Sequence, residues 1–122
     1  MLIRQAQVSD FPRILEINAT EEEKTSRIDL ARVTQLDSWS DYHSIVAVGD
    51  MIIGFLLVMS EASDYDGDNF RWFAERYSRF LYVDRIVIDR TFARRGAGTA
   101  LYSDLIKFAA TQSWSTLCCE IN

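Results

Sequence analysis

Leu2 to Val8 alternates loosely between apolar and polar positions, with Ile3 and Ala6 among polar neighbours, and this period of two predicts a strand. The period then lengthens. Phe11, Ile14, Leu15 and Ile17 fall on one helical face, Ser9 or Asp10 stands at the cap, and Pro12 lies in the first turn, where a missing N–H costs nothing. Thr20-Glu21-Glu22-Glu23 repeats the cap pattern, a threonine three residues ahead of a glutamate, and predicts a second helix running toward Trp39. Its stripe of Ile28, Leu30, Ala31, Val33 and Leu36 is thinner.

Ile45 to Val48 and Met51 to Met59 are two β-rich runs separated by Gly49-Asp50, a two-residue turn that makes them antiparallel neighbours in a hairpin. Glu61 to Arg79 follows as an insertion, acidic at first (Asp64, Asp66, Asp68) and then aromatic (Phe70, Trp72, Phe73, Tyr77) at a spacing that suits a short helix. Phe80 to Asp89 is apolar on both faces at Val83, Ile86, Val87 and Ile88, as a central strand covered on both sides must be. Thr99 to Trp114 then carries Leu101, Leu105 and Phe108 at i, i+4 and i+7, the clearest helical stripe in the chain. A final strand from Ser115 to Ile121 closes a strand-helix-strand crossover, which places it parallel to Phe80–Asp89. The fold class is therefore α/β with a mixed sheet.

At 122 residues, 48% of them apolar, the chain suits one folded domain over 1–122, without disulfide or metal staples. The two cysteines, Cys118 and Cys119, are adjacent, which excludes a disulfide framework and a zinc site built on spaced pairs, and fits a cytoplasmic setting. No apolar run is long enough for a bilayer, so no membrane partner is expected. The net charge of −5 argues against general affinity for nucleic acid. Between Arg85 and Gly98, however, Arg85, Arg90, Arg94 and Arg95 face only Asp89, and this stretch is where an anion is expected.

Strand, basic turn, then Arg95-Gly96-Ala97-Gly98-Thr99-Ala100 at the mouth of an amphipathic helix makes an anion cradle. The first helical turn has unpaired N–H groups with the positive end of the macrodipole behind them, and glycines let a phosphate approach the backbone. The plainer alternative is a tight turn with solvated arginines. A nucleotide P-loop is excluded because no lysine closes the turn. A dinucleotide fingerprint fails as well: Leu101 stands where its third glycine belongs, and the turn leaves the strand too late.

Arg95-x-x-Gly98-x-Ala100, with this order of elements around it, resembles the signature of the GNAT superfamily of acyl-coenzyme-A-dependent N-acetyltransferases, and the resemblance covers essentially the whole chain. It implies acetyl-CoA as cosubstrate. The coenzyme pyrophosphate would rest on Arg94, Arg95, Gly96, Ala97, Gly98, Thr99 and Ala100, and the pantetheine arm would pair with the backbone of Ile86, Val87 and Ile88. An N–H near Ile88 would serve as oxyanion donor.

Acetyl transfer requires a neutral amine, hence a route for its proton. Tyr82 and Asp84 are the candidate catalytic residues: strand alternation puts both on the face of Ile86 and Ile88, and Tyr82 occupies a position where some GNAT relatives carry a glutamate base. An ion pair with a neighbouring arginine is the competing role for Asp84. His43 reads as structural or solvated, Cys118 and Cys119 as small buried residues on alternate sides of a strand, and Trp72, Phe73 and Tyr77 as packing more than as a substrate cap. The acceptor is a small-molecule or peptide amine, and Glu21, Glu22 and Glu23 suit a cationic one, although the capping box at Glu23 and helix-start acids at the other two are the better explanation.

Relatives continue beyond the strand that ends here at Asn122 with a helix and two more strands, including a tyrosine that protonates the departing thiolate. That leaves a fragment, or a homodimer whose second copy completes the sheet edge. The implied function is an N-acetyltransferase acting by direct attack in a ternary complex. The alternative is a non-catalytic acyl-CoA-binding module or truncated inactive relative.

Overall fold

The computed structural model describes residues 1–21 and 25–119. Its elements are β1 (Leu2–Gln5), α1 (Phe11–Ala19), α2 (Leu30–Trp39), β2 (Tyr42–Val48), β3 (Met51–Ser60), α3 (Asp68–Ala74), β4 (Leu81–Ile88), α4 (Ala97–Thr111) and β5 (Leu117–Cys119). Five strands form one sheet in the order β1-β2-β3-β4-β5, with antiparallel neighbours except for the parallel pair β4 and β5. The expected mixed sheet is present, with one adjustment: β3 is the middle strand, and β4 lies between it and β5.

The sheet is covered on both faces. On one, Phe11, Ile14 and Ile17 of α1 and Val33 and Leu36 of α2 pack against Ile45, Phe55, Leu57 and Tyr82, with Phe70 of α3 closing the cluster. On the other, Ala97, Leu101, Leu105 and Ala109 of α4 pack on Val46, Leu56, Val58 and Val83. Each Val, Leu, Ile or Phe side chain among these, taken from water, contributes about 1.5–3 kcal/mol.

Local chemistry moves three boundaries. The first strand stops at Gln5 because the Asp10 carboxylate takes the Gln7 N–H at 2.8 Å and both Arg4 nitrogens at 2.7 and 2.9 Å, turning the chain into a 3-10 turn over Val8–Asp10. The helix expected after Thr20 begins at Leu30. Thr20 closes α1, its hydroxyl donating to the Ile17 carbonyl at 2.7 Å, and Asp29 caps α2 by accepting the Arg32 N–H at 2.8 Å. Glu22, Glu23 and the end of the last predicted strand lie outside the described residues. Finally, α4 starts two residues early, at Ala97, so that Gly98 lies within its first turn.

Candidate functional site

The bend between β4 and α4 is built from left-handed backbone. Arg94 has φ +63° and Gly96 φ +84°, on either side of Arg95, and Gly96 is the residue before the first turn of α4. Glycine is needed at 96 because a Cβ strains that conformation. The first backbone donor of the helix is the Ala100 N–H, which bonds the Gly96 carbonyl at 2.9 Å. Among the described residues, the N–H groups of Ala97, Gly98 and Thr99 have no backbone acceptor in the turn, and no side chain caps them. A Cβ built at Gly98 meets nothing within 4 Å, so the space above these donors is open. Three aligned amides with a helix dipole behind them are an arrangement in which an anion is favoured. Ala97 anchors the turn from below, buried against the core.

The arginines divide into two groups. Arg94 and Arg95 are exposed beside the amides, with the Arg95 guanidinium 5.5 Å from the Phe92 ring centroid. The other two are engaged elsewhere. Arg90 donates to Glu21 at 2.9 Å, and Arg85 is buried on the opposite side of the sheet. The start of the turn is also tied to α1: Arg13 bonds the Asp89 carboxylate at 2.7 Å and the Ile52 carbonyl at 3.0 Å. The Thr91 N–H, followed by the Arg13 guanidinium, holds the Asp89 carboxyl below the usual carboxylate range.

Upstream, among the described residues, β5 pairs with β4 at Leu81 with Leu117, Tyr82 with Cys118 and Val83 with Cys119. Among the described residues nothing pairs with Ile86, Val87 or Ile88 on that side, while their other edge is bonded to Leu56, Phe55 and Gly54. Beyond Val83, a point termed the fork, the β4 edge is thus without a partner among the described residues as it runs toward the amides that open α4. Gly54 preserves this stretch, since a Cβ there would lie 2.6 Å from Ile88 Cδ1 and 3.0 Å from the Val87 carbonyl oxygen.

The pairing of β3 with β4 shifts between Leu57 and Val58, which face Arg85 and Val83, so Asp84 is an extra residue with no partner opposite. This β-bulge corrects the expected alternation. Tyr82 and Val87 face α1 and α2, whereas Ile86 and Ile88 face α4. Asp84 joins Tyr82 on the α1 side, because its carboxylate meets Tyr65 and Arg85 there. The two candidate catalytic side chains therefore do not share a face with Ile86 and Ile88.

Both are also enclosed. The Asp84 side chain is 5% exposed, accepting from Arg85 Nε at 2.7 Å and from the Tyr65 hydroxyl. Tyr82 packs among Tyr65, Phe70 and Phe73. Burial, followed by the adjacent Asp84 charge, pushes the Tyr65 phenol well above its ordinary pKa. Tyr65, Asn18 and Ser26 around Arg85 were not anticipated. The available signal was an aspartate and an arginine side by side in an otherwise apolar strand.

His43 is buried against Phe11 and Phe55 with Nδ1 2.7 Å from Asp37, the structural rather than the solvated of its two expected roles. Cys118 is buried as expected and burial raises its thiol, but Cys119 is exposed, because alternation at the end of β5 turns it away from the core. Trp72 and Phe73 line a cleft beside Asn69 and Cys119. No helix of the described residues is long and apolar enough to cross a membrane.

The model of the Acetyltransferase (GNAT) family matches residues 4–120. No curated protein matches the chain. Among solved structures, a ribosomal-protein-alanine N-acetyltransferase from Brucella melitensis biovar Abortus 2308 superposes with a TM-score of 0.73 at 20% identity, covering 99% of this chain and 79% of that one. An aminoglycoside 6'-N-acetyltransferase from Acinetobacter haemolyticus gives 0.73 at 16% identity, with coverage of 99% and 79%. Rv2747 from Mycobacterium tuberculosis, solved in complex with CoA, gives 0.74 at 14% identity, covering 98% of this chain and 63% of that one. At these identities the likeness establishes the fold.

Proposed function

Since the chain belongs to the GNAT acetyltransferase family, we propose that it transfers an acetyl group from acetyl-CoA to a primary amine by direct attack within a ternary complex. One observation carries this reading: the edge of β4 at Ile86–Ile88, unpaired among the described residues, runs into the open amides of Ala97, Gly98 and Thr99. An extended arm ending in a diphosphate matches that arrangement. The arm hydrogen-bonds to β4 as a further strand would, and the diphosphate takes the amides between the Arg94 and Arg95 side chains, with Gly96 and Ala100 completing the turn.

In this proposal the acceptor enters the fork as a neutral amine. Its nitrogen bonds to the acetyl carbon as the carbon–sulfur bond breaks, the amine proton passes to water, and the thiolate takes a proton from water. A backbone N–H at the end of β4 polarises the carbonyl. Asp84 and Tyr82 shape the fork from beneath; their burial argues against either touching the amine.

The buried state of Asp84 is also what favours the second reading, a module that binds acyl-CoA without turnover. Thiol release from acetyl-CoA separates the two, measured against polyamines, aminoglycosides, amino acids and peptide N-termini. Release dependent on one acceptor class supports the transferase. CoA binding with no release toward any class supports the module.

A further inference from the structure

Arg85 is a charged residue on a strand whose neighbours are apolar, and it is buried to 8% exposure. Its guanidinium is nevertheless almost fully used. Nε donates to Asp84 at 2.7 Å, Nη1 to the Asn18 side-chain oxygen at 3.1 Å and to the Ser26 carbonyl at 2.9 Å, and Nη2 to the Ser26 hydroxyl at 3.2 Å. Asn18 returns a bond to the same Ser26 carbonyl at 3.0 Å, and the Tyr65 hydroxyl holds the other Asp84 oxygen. Four separate pieces of chain meet here: the end of α1, the segment before α2, the bulge on β4 and the insertion between β3 and β4.

Stability alone is a poor explanation. A buried ion pair roughly breaks even against apolar side chains of similar volume, because desolvation offsets the Coulombic gain. A rigid planar fork of donors supplies distance and angle instead, which a flexible ammonium does not. The bulge lies one residue beyond Val83, the last position of β4 paired with β5 among the described residues, so the place being fixed borders the fork.

We propose that Arg85 is a positioning residue for acetyl transfer: oriented by Asp84 and Tyr65, it holds the Thr25–Asp29 segment against the fork and so sets how the acceptor amine enters. This rests on the acetyltransferase reading. The amides of Ala97, Gly98 and Thr99 lie beyond the C-terminal end of β4 and take no part in the network, so affinity for the coenzyme diphosphate and acceptor handling should come apart.

The test uses the full chain as wild type, Arg85→Lys and Tyr65→Phe, with thiol release measured against the acceptor that wild type turns over fastest. Calorimetry with CoA and amide hydrogen exchange at residues 25–29 accompany it. For Arg85→Lys the KM for the amine should rise about tenfold or more while kcat falls less than about threefold, the pattern of lost acceptor binding. The CoA Kd should stay within about twofold, and exchange at residues 25–29 should quicken. Tyr65→Phe, which loses one hydroxyl and keeps the ring, should move the same quantities less far. Unchanged acceptor KM in both variants overturns the proposal, as does a KM and a CoA Kd rising together with loss of thermal stability. A wild type that releases no thiol toward any amine instead removes the transferase reading, and this role with it.

Discussion

Asp84 and Arg85 are consecutive residues of one strand, yet their side chains meet on the same side of the sheet, with Arg85 Nε 2.7 Å from Asp84 Oδ2. The bulge makes this possible, since regular alternation sends neighbours to opposite faces. Removing one partner strands the other charge in the interior. Asp84→Ala is therefore expected to destabilise the fold by about 3–5 kcal/mol, and Asp84→Leu combined with Arg85→Met by clearly less. Urea midpoints of the variants check this.

At the other end of the sheet, the Arg4 guanidinium and, after it, the Gln7 N–H outweigh burial and hold the Asp10 carboxyl below the usual carboxylate range. A carboxylate with a lowered folded pKa contributes stability that is complete above its unfolded value and is lost as pH falls through the folded one. Asp10→Asn should cost about 1–2 kcal/mol near neutral pH. Thermal midpoints recorded from about pH 6 down to 3 should show the gap between wild type and variant closing below about pH 4.

Gly54 is constrained by space. A methyl at that position meets Ile88 Cδ1 at 2.6 Å, the Val87 carbonyl oxygen at 3.0 Å and Val46 Cγ1 at 3.2 Å. Gly54→Ala should lose about 1–3 kcal/mol through overpacking. Because the displaced strand is β4, coenzyme affinity should fall with it, which calorimetry on the folded variant would record.

The parts of this molecule that could be read from its residues are those whose signals are local. Gly49-Asp50 between two β runs specifies a hairpin whatever surrounds it, and Leu101 and Leu105 mark the buried face of α4 by spacing alone. The free amides at the start of α4 were legible for the same reason, being one turn of contiguous chain. The bulge at Asp84 was not, because one extra residue leaves the composition of β4 unchanged while reversing every face assignment across it. Thr20 and Asp29 carry equivalent cap chemistry, and only the tertiary fold decides that one closes α1 and the other opens α2. The Arg85 network joins residues up to 67 positions apart, which no window of sequence reveals.

Gly98 separates fold from function. It occupies the first turn of α4, and a Cβ there meets nothing within 4 Å. Gly98→Ala should leave thermal stability unchanged or raise it by up to about 1 kcal/mol, since alanine is the better helix former. The same methyl would stand where a phosphate must approach the backbone. Circular dichroism melting of this variant shows whether any lost affinity is local.

Calorimetric titration of coenzyme A into wild type, Arg95→Ala and Gly98→Ala bears most directly on the anion site before α4. The account predicts binding by wild type and a loss of about tenfold or more in each variant, as expected for a charged hydrogen bond or a blocked amide, with melting temperatures preserved. Equal affinity in all three proteins, or no binding by wild type, would contradict it.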